Sequence, residues 1–332
     1  MTKRRASMID DLIIILIKSA VVILLLFTAA AYMTFLERIV MARLQLRMGP
    51  VRVGPFGLFQ PLADGIKLLC KERFQPANVE TFVYWLAPGI SLFTALFIFV
   101  LIPFGGVVEI AGRLIYLQIA DINVGVVFLL AFSSLAVYGV VLAGWASNNR
   151  YSLIGGLRGT AQMISYEIPM GLSLLTVVLS TGTLSLREIV ELQQNHWLIW
   201  TNPISFIIYF ITSFAETNRA PFDLPEAEQE LTAGYHTEYG GMKFAAFFLG
   251  EYINILAVSA IATTLFFGGW HGPGDIPILW FGLKVAIFVF IFMWVRATMP
   301  RFRYDQLMSF GWKVLIPIAI LNLIITAYFT LV

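Results

Sequence analysis

The chain has 332 residues, 59% hydrophobic and 13% charged, with a formal net charge of +2. That charged share is about half of an ordinary soluble domain's, which excludes a water-soluble globule, and no nucleic-acid partner is expected. One cysteine, Cys70, excludes an internal disulfide framework and any cysteine-ligated iron-sulfur cluster or zinc ribbon held by this chain alone.

Apolar runs long enough to cross about 30 Å of hydrocarbon as helices lie near 12–34, 80–102, 122–145, 160–181, 199–215, 244–268, 276–296 and 308–331. The expected fold is an all-α integral membrane protein. It forms a single membrane domain over 1–332, with about eight transmembrane helices and one amphipathic surface helix. The first run follows Lys3-Arg4-Arg5 but continues into Glu37-Arg38 with no small-residue cleavage site, so it reads as a span and not a signal peptide. The fifth run is short and begins at a Trp197/Trp200 belt.

Between the first two runs, "FQPLADGIKLLCKE" places Leu62, Ile66, Leu69 and Cys70 on one helical face and Asp64, Lys67 and Lys71 on another. Pro61 suits a first turn, so a helix over 60–72 is expected to lie at the membrane surface, by itself no more than an interfacial anchor. The preceding "RMGPVRVGPFG" follows no strand and lacks the spacing of a phosphate loop. The loops after runs one, three, five and seven hold fourteen Lys and Arg residues against five on the opposite side. The positive-inside rule puts the basic set in the cytoplasm and both termini outside, although the basic N-terminus argues mildly the other way. His196, His236 and His271 fall between spans, so a pair of intramembrane haem ligands is also lacking.

Ionisable groups inside a span cost about 2.5–3.5 kcal/mol each on insertion scales and mark function or a buried partner. Glu167 in "QMISYEIPMG" and Glu251 in "FLGEYIN" stand inside, each expected about seven residues, roughly 10 Å, from the basic-side start of its helix. Glu216 closes the fifth run and Glu37 the first. Lys284 is the ionisable group assigned to the outer half. These acids form half a pathway, in which a proton from the basic side passes among Glu216, Glu167 and Glu251 and then leaves through Lys284 or sideways into another subunit. The alternative is that each acid pairs with a base, Arg38, Arg219 and Arg296 being at suitable depth. Pro169 loosens the helix beside Glu167 or serves packing.

The segment 216–243 is an acidic loop at the mouth of that pathway. "ETNRAPFDLPEAEQE" carries Glu216, Asp223, Glu226, Glu228 and Glu230 around Arg219, with prolines fixing an irregular turn and acids opening a short helix at its positive dipole end. A charge run is ordinarily solvated. Here Phe222, Leu224, Leu231 and Tyr235 are interleaved with the acids, which requires part of the loop to be buried.

Four stretches carry a resemblance: "LERIVMARLQLRMGPVRVGPFGLFQPLADGIKLLCKE", "WASNNRYSLIGGLRGTAQMISYEIPMGL", "ETNRAPFDLPEAEQELTAGYHTEYGGMKFAAFFLGEYIN" and "VRATMPRFRYDQLMSFGWKVLIPI". Together they resemble the H subunits of the proton-pumping NADH:quinone oxidoreductases, respiratory complex I, from about residue 12 to the end. Val51, where members often have Asn, and Ile39, where Lys is common, depart from the pattern without touching a carboxylate used above. The resemblance implies a membrane component that joins the peripheral arm to the membrane arm and forms much of the quinone chamber. By it, Glu37, Arg38, Gln60, Asp64, Lys67, Arg219, Arg296 and Arg301 would line or tune that chamber. Glu167, Glu216, Asp223, Glu226, Glu228 and Glu251 would form an acidic funnel that relays protons or their electrostatic signal.

The implied substrate is quinone. FMN and Fe-S clusters are expected in partner subunits, since this chain shows no redox centre of its own, and no metal site is expected. The implied partners are peripheral-arm quinone-site subunits, neighbouring small membrane subunits and membrane lipids; the implied location is an energy-transducing membrane, the bacterial inner membrane. Two other readings stay open on the residues alone. A stand-alone proton transporter would need a continuous polar path and is disfavoured by the bare outer half and the lack of internal repeats. A related component of a hydrogenase or formate-linked complex would share the fold without NADH.

Overall fold

The computed structural model describes residues 2–72, 74–110, 113–225, 232–274 and 276–331. Glu226, Glu228 and Glu230 therefore lie outside the described residues. Among those described, the long helices are α1 (Thr2–Leu44), α3 (Thr81–Ile98), α4 (Gly125–Ala146), α5 (Arg150–Thr181), α9 (Met242–Phe266) and α10 (Pro277–Thr298). Shorter helices are α2 (Gln60–Cys70), α6 (Leu186–Leu192), α7 (Leu198–Thr201), α8 (Pro203–Glu216) and α11 (Tyr304–Phe310), the last running through a π turn (Gly311–Leu315) into α12 (Ile316–Leu331).

Seven of these segments are long and apolar enough to cross a membrane, and Pro203–Glu216 is a shorter apolar helix. The chain is a multi-pass, predominantly helical membrane protein, because only helices and closed barrels satisfy every backbone group in hydrocarbon. The fifth apolar run is broken at Asn202–Pro203, where proline has no N–H to continue α7 and instead starts α8.

Two boundaries differ from the sequence expectation. Helix α1 continues past residue 34 to Leu44, so Glu37 and Arg38 sit on the helix instead of closing it. Helix α5 begins at Arg150, not 160, which moves Glu167 from an inner-third position to near mid-helix. The glycine-rich "SLIGGLRG", outside the apolar run, is helical because its small residues allow close backbone approach. A Cβ at Gly155 would lie 2.8 Å from the Gly234 Cα, and one at Gly156 3.3 Å from the Gly144 Cα. In the loop after α3, an unforeseen hairpin pairs β1 (Val107–Ile110) with β2 (Arg113–Tyr116) antiparallel, with Val107 opposite Tyr116.

Helices α5 and α9 form the interior. Their most apolar windows are 50% and 61% buried, against 6% for α1, most of which is exposed on the outside of the bundle. Helix α5 packs on α4, α8 and α12, and α9 packs on α3, α10 and α1. Between α8 and α10 the core is aromatic: Phe210 and Phe214 meet Phe288 and Phe292, with the Phe214 and Phe292 rings stacked at 4.0 Å.

Hydrogen bonds sort the loops onto two faces. On the basic face Asn149 donates to Glu238 Oε1 (2.7 Å), Tyr84 to the Glu238 carbonyl (2.7 Å), and Phe302 N to the Pro221 carbonyl (3.3 Å). On the opposite face Val126 N bonds the Leu184 carbonyl and Gly268 N bonds Gln193 Oε1, both at 3.1 Å. Lys18 Nζ donates there to the carbonyls of Tyr116 (2.7 Å) and Gln118 (3.1 Å). Lys18 is thus a second outer-half cation within a span, beside Lys284, that the hydropathy reading overlooked.

Candidate functional site

The loop after α8 folds inward because its apolar residues need cover. Phe222 and Leu224 are buried, and Phe222 packs on Tyr166 of α5 and on Phe302. This turn is pinned by Gln162 of α5, which is fully buried and donates to the carbonyls of Ala215 (2.9 Å) and Phe222 (2.8 Å). Asn218 takes the left-handed backbone conformation (φ +49°) that Asn tolerates better than most residues. The turn so fixed carries Arg219 into the protein, where it is 6% exposed.

Arg219 joins two helices. One terminal nitrogen is 3.9 Å from Glu37 Oε1 on α1 and the other 3.4 Å from Glu251 Oε2 on α9, while the guanidinium lies 4.5 Å over the Tyr252 ring. Glu37 is also paired with Arg296 of α10 and accepts from the Tyr252 hydroxyl at 2.5 Å. Glu251 accepts from the Tyr235 hydroxyl at 2.9 Å. The order Arg296, Glu37, Arg219, Glu251 alternates in sign, so each buried charge has an opposite neighbour, which is what a low-dielectric interior demands.

Glu216, 3% exposed at the end of α8, differs: no base pairs with it among the described residues, and the polar group that meets its carboxylate is the Ser133 hydroxyl of α4. Glu216 shares a cavity of about 40 Å³ with Glu251, Tyr235, Thr217, Asn218 and Asn254. That is room for roughly one to three waters in a polar-lined space, enough to link the two carboxylates without direct contact. Glu167 accepts a hydrogen bond from Ser134 of α4, and its carboxylate is a like-charged neighbour of Glu216, which Ser133 of α4 faces with its hydroxyl. A smaller cavity of about 10 Å³ adjoins Glu37, Arg219 and Arg296.

The remaining expected residues form two separate groups. Arg38 is 2.7 Å from Asp64, to which Gln60 also donates (3.1 Å), tying α2 to the end of α1 at a half-exposed surface. Lys67 is exposed on the same helix, whose apolar residues Leu62, Ile66 and Leu69 are exposed too. Arg301 pairs with Asp223 at 2.9 Å and so fastens the segment after α10 to the acidic loop.

The structure thus brings Glu37, Arg219, Arg296, Glu251 and Glu216 together. The ion-pair alternative holds for Glu37 and Glu251, whereas Glu216 and Glu167 have no such pair with a base among the described residues. Residues the sequence reading missed are the polar partners: Tyr252 and Tyr235 as donors to carboxylates, Gln162 as the pin of the turn, and Ser134 beside Glu167. Tyr252 carried a signal in being adjacent to Glu251, and Tyr235 in lying among the apolar residues interleaved with the loop acids.

Lys284 does not continue the path. Its Nζ donates to three carbonyls of one turn on the opposite face: Phe267 (2.6 Å), Gly269 (3.0 Å) and His271 (2.6 Å).

Comparison with known proteins identifies the family. A family model described as NADH dehydrogenase matches residues 17–327. The chain is 54% identical over 301 residues to the first NADH-quinone oxidoreductase H subunit of Geobacter metallireducens, covering 91% of this chain and 92% of the relative. It is 55% identical over the same length to the second NADH-quinone oxidoreductase H subunit of Geobacter sulfurreducens, with the same shares. It is 52% identical over 306 residues to the NADH-quinone oxidoreductase H subunit of Thermomicrobium roseum, covering 89% of this chain and 90% of the relative. The chain therefore belongs to the NADH dehydrogenase family, among the H subunits of NADH-quinone oxidoreductase, the multi-pass membrane components of respiratory complex I.

Proposed function

We propose that this subunit forms part of the wall of a quinone-reducing chamber on the basic face and transmits the charge of that reduction into the membrane through its buried carboxylates. Reducing a quinone by two electrons demands two protons, and carboxylates nearby supply them or change their own protonation in response. The electrons come from the flavin and iron-sulfur clusters expected in partner subunits. The half-exposed group on α2 (Gln60, Asp64, Lys67, with Arg38) and its exposed apolar residues supply a wall that partner subunits complete. Glu37 with Arg296 stands between that wall and Glu251 with Glu216.

Arg219 is the switch element in this reading. A guanidinium stays protonated under all ordinary conditions, so it passes no proton itself. It biases which of its two carboxylates is better paired. A charge change on the Glu37 side alters how firmly Arg219 is held there, hence its grip on Glu251 and the water-sized cavity that Glu251 shares with Glu216. Asp223, held by Arg301, together with Glu226 and Glu228 on the loop, completes the funnel, and Glu167 extends it into α5. The basic face is the cytoplasmic one in a bacterial inner membrane, where it docks the peripheral arm, with small membrane subunits and lipid around the helices and the termini outside.

The observation that carries the reading is the cavity joining Glu216, an unpaired buried carboxylate, to Glu251 of the charge-alternating network. The test is Glu216→Ala in the assembled complex. NADH oxidation by a hydrophilic artificial acceptor is expected to persist while quinone reduction and proton pumping fall by about a hundredfold or more, the loss that follows removal of a general acid-base group. Unaltered quinone-linked turnover would remove Glu216 from the relay.

A further inference from the structure

Two adjacent hydroxyls of α4, those of Ser133 and Ser134, meet two carboxyls that come from different helices. Ser134 donates to Glu167 of α5, and Ser133 faces Glu216 at the end of α8. Consecutive residues of a helix project about 100° apart. Both find an acid because Glu167 and Glu216 are themselves close enough to repel. Ser133 is 8% exposed, while Ser134 and Glu167 are half-buried.

Both hydroxyls also reach one backbone group, the Leu130 carbonyl, Ser133 at 3.3 Å and Ser134 at 3.0 Å. Bonding back to the preceding turn is common for a serine inside a helix. Here it creates a competition. A carbonyl has two lone pairs, and the helix uses one of them for the amide four residues on, that of Ser134. One remains for two hydroxyls, each of which has a single proton to give. When one serine donates to Leu130, the other is released to donate to its carboxylate.

The acids face the matching constraint. Two ionised carboxyls at one site repel, so one of them holds a proton. An ionised carboxylate needs a donor, whereas a neutral carboxyl has a proton of its own to give and is served by the lone pairs of a hydroxyl whose proton points elsewhere. Two arrangements satisfy every group. In one, Glu216 is ionised, Ser133 donates to it and Ser134 donates to Leu130; in the other, Glu167 is ionised and the serines exchange roles. We propose that Ser133 and Ser134 are positioning residues of the relay, a paired rotor that lets one negative charge rest on either Glu216 or Glu167 with a hydrogen bond in both places. In the exchange one proton leaves one carboxyl as one arrives at the other, and each hydroxyl turns with its own proton retained. The proposal rests on the relay reading above and assigns the step between its buried and half-buried acids, but its test is separate.

Complexes carrying Ser133→Ala, Ser134→Ala, Ser133→Ala/Ser134→Ala or Ser134→Thr are reconstituted in liposomes, and the infrared absorption of protonated carboxyls is recorded. The Glu216 and Glu167 bands are assigned by their loss in Glu216→Gln and Glu167→Gln. Ser133→Ala is expected to move the proton toward Glu216 and Ser134→Ala toward Glu167, each by about fivefold in the ratio of the two bands, what one hydrogen bond is worth. The double alanine variant is expected to return the ratio to near the parent value, and Ser134→Thr, which keeps the hydroxyl, to stay there. A merely structural role for the serines gives no such opposed shifts. Shifts in the same direction, no shift in either single variant, or a double variant displaced as far as a single one would overturn the proposal. Failure of the relay reading shows separately, as unaltered quinone-linked turnover in Glu216→Ala.

Discussion

Arg219 and Glu251 face each other at 3.4 Å in the protein interior, brought together by a loop turn on one side and a membrane helix on the other. The same guanidinium reaches toward Glu37 of α1, so one side chain couples two helices that share no local sequence.

Removing that side chain leaves buried carboxylates short of positive charge, which costs about 3–5 kcal/mol when a buried pair is broken on one side. Arg219→Gln is expected to lower the amount of subunit incorporated into the membrane complex and to abolish quinone-linked turnover. Arg219→Met/Glu251→Met removes both charges and is expected to recover incorporation but not turnover. Immunoblots of purified membranes, together with NADH:quinone activity, separate the two effects. Equal incorporation of all three proteins would show that the pair carries little structural weight.

Glu167 has a hydroxyl partner and sits near the middle of α5. Glu167→Gln is expected to preserve assembly and reduce the proton yield per NADH, while Ser134→Ala removes one hydrogen bond of about 1 kcal/mol and changes turnover at most severalfold. Proton uptake and NADH oxidation recorded on the same vesicles check this. A full proton yield in Glu167→Gln would leave that carboxyl a packing role.

The close approach at Gly155 gives a steric prediction. With the Gly234 Cα 2.8 Å from where a Cβ would stand, Gly155→Val must push α5 away from the turn that holds Tyr235, at a cost of about 1–3 kcal/mol or more. The Tyr235 to Glu251 bond is expected to suffer with it, so activity and thermal midpoint both drop. Gly89 has nothing within 4 Å of its virtual Cβ, and Gly89→Ala is expected to leave both unchanged. The paired thermal-shift measurements stand or fall on that contrast.

His271, in the turn clamped by Lys284, has its imidazole pushed below the usual value of 6.5, first by burial and then by the Lys284 charge. A depressed histidine binds its proton more readily unfolded than folded, so its contribution to stability is full above about pH 6.5 and is lost as pH falls below it. The thermal midpoint of the complex is expected to decline on acidification from pH 7 to pH 5, with a shallower slope in His271→Gln and in Lys284→Gln. Parallel slopes in all three would exclude His271 as a contributor.

Much of the site was legible as composition. Carboxylates at Glu167, Glu216 and Glu251 stand out in apolar surroundings because hydrocarbon penalises them, and the interleaved Phe222 and Leu224 announced a loop that folds inward. Helix ends were less legible. Gly155, Gly156 and Gly159 depress helix propensity locally and hide the start of α5, when their small size serves contacts with the 234–235 turn and α4. Lys18 was passed over because a single cation does not interrupt a strongly apolar window, although its ammonium is satisfied by two loop carbonyls.

The sequence alone determined that this chain crosses a membrane as a helical bundle, which of its faces is basic, and to which family its motifs are similar. Hydrophobicity and loop charge are sums over neighbouring residues and need no knowledge of packing. Only the tertiary structure decided that Glu37 is shared by Arg296, 259 positions away, and by Arg219, that Glu216 has no basic partner among the described residues, and that Lys284 is committed to three carbonyls. Those pairings depend on how each helix is rotated and crossed against the next, a choice made by side-chain packing over the whole bundle and not written in any local stretch of residues.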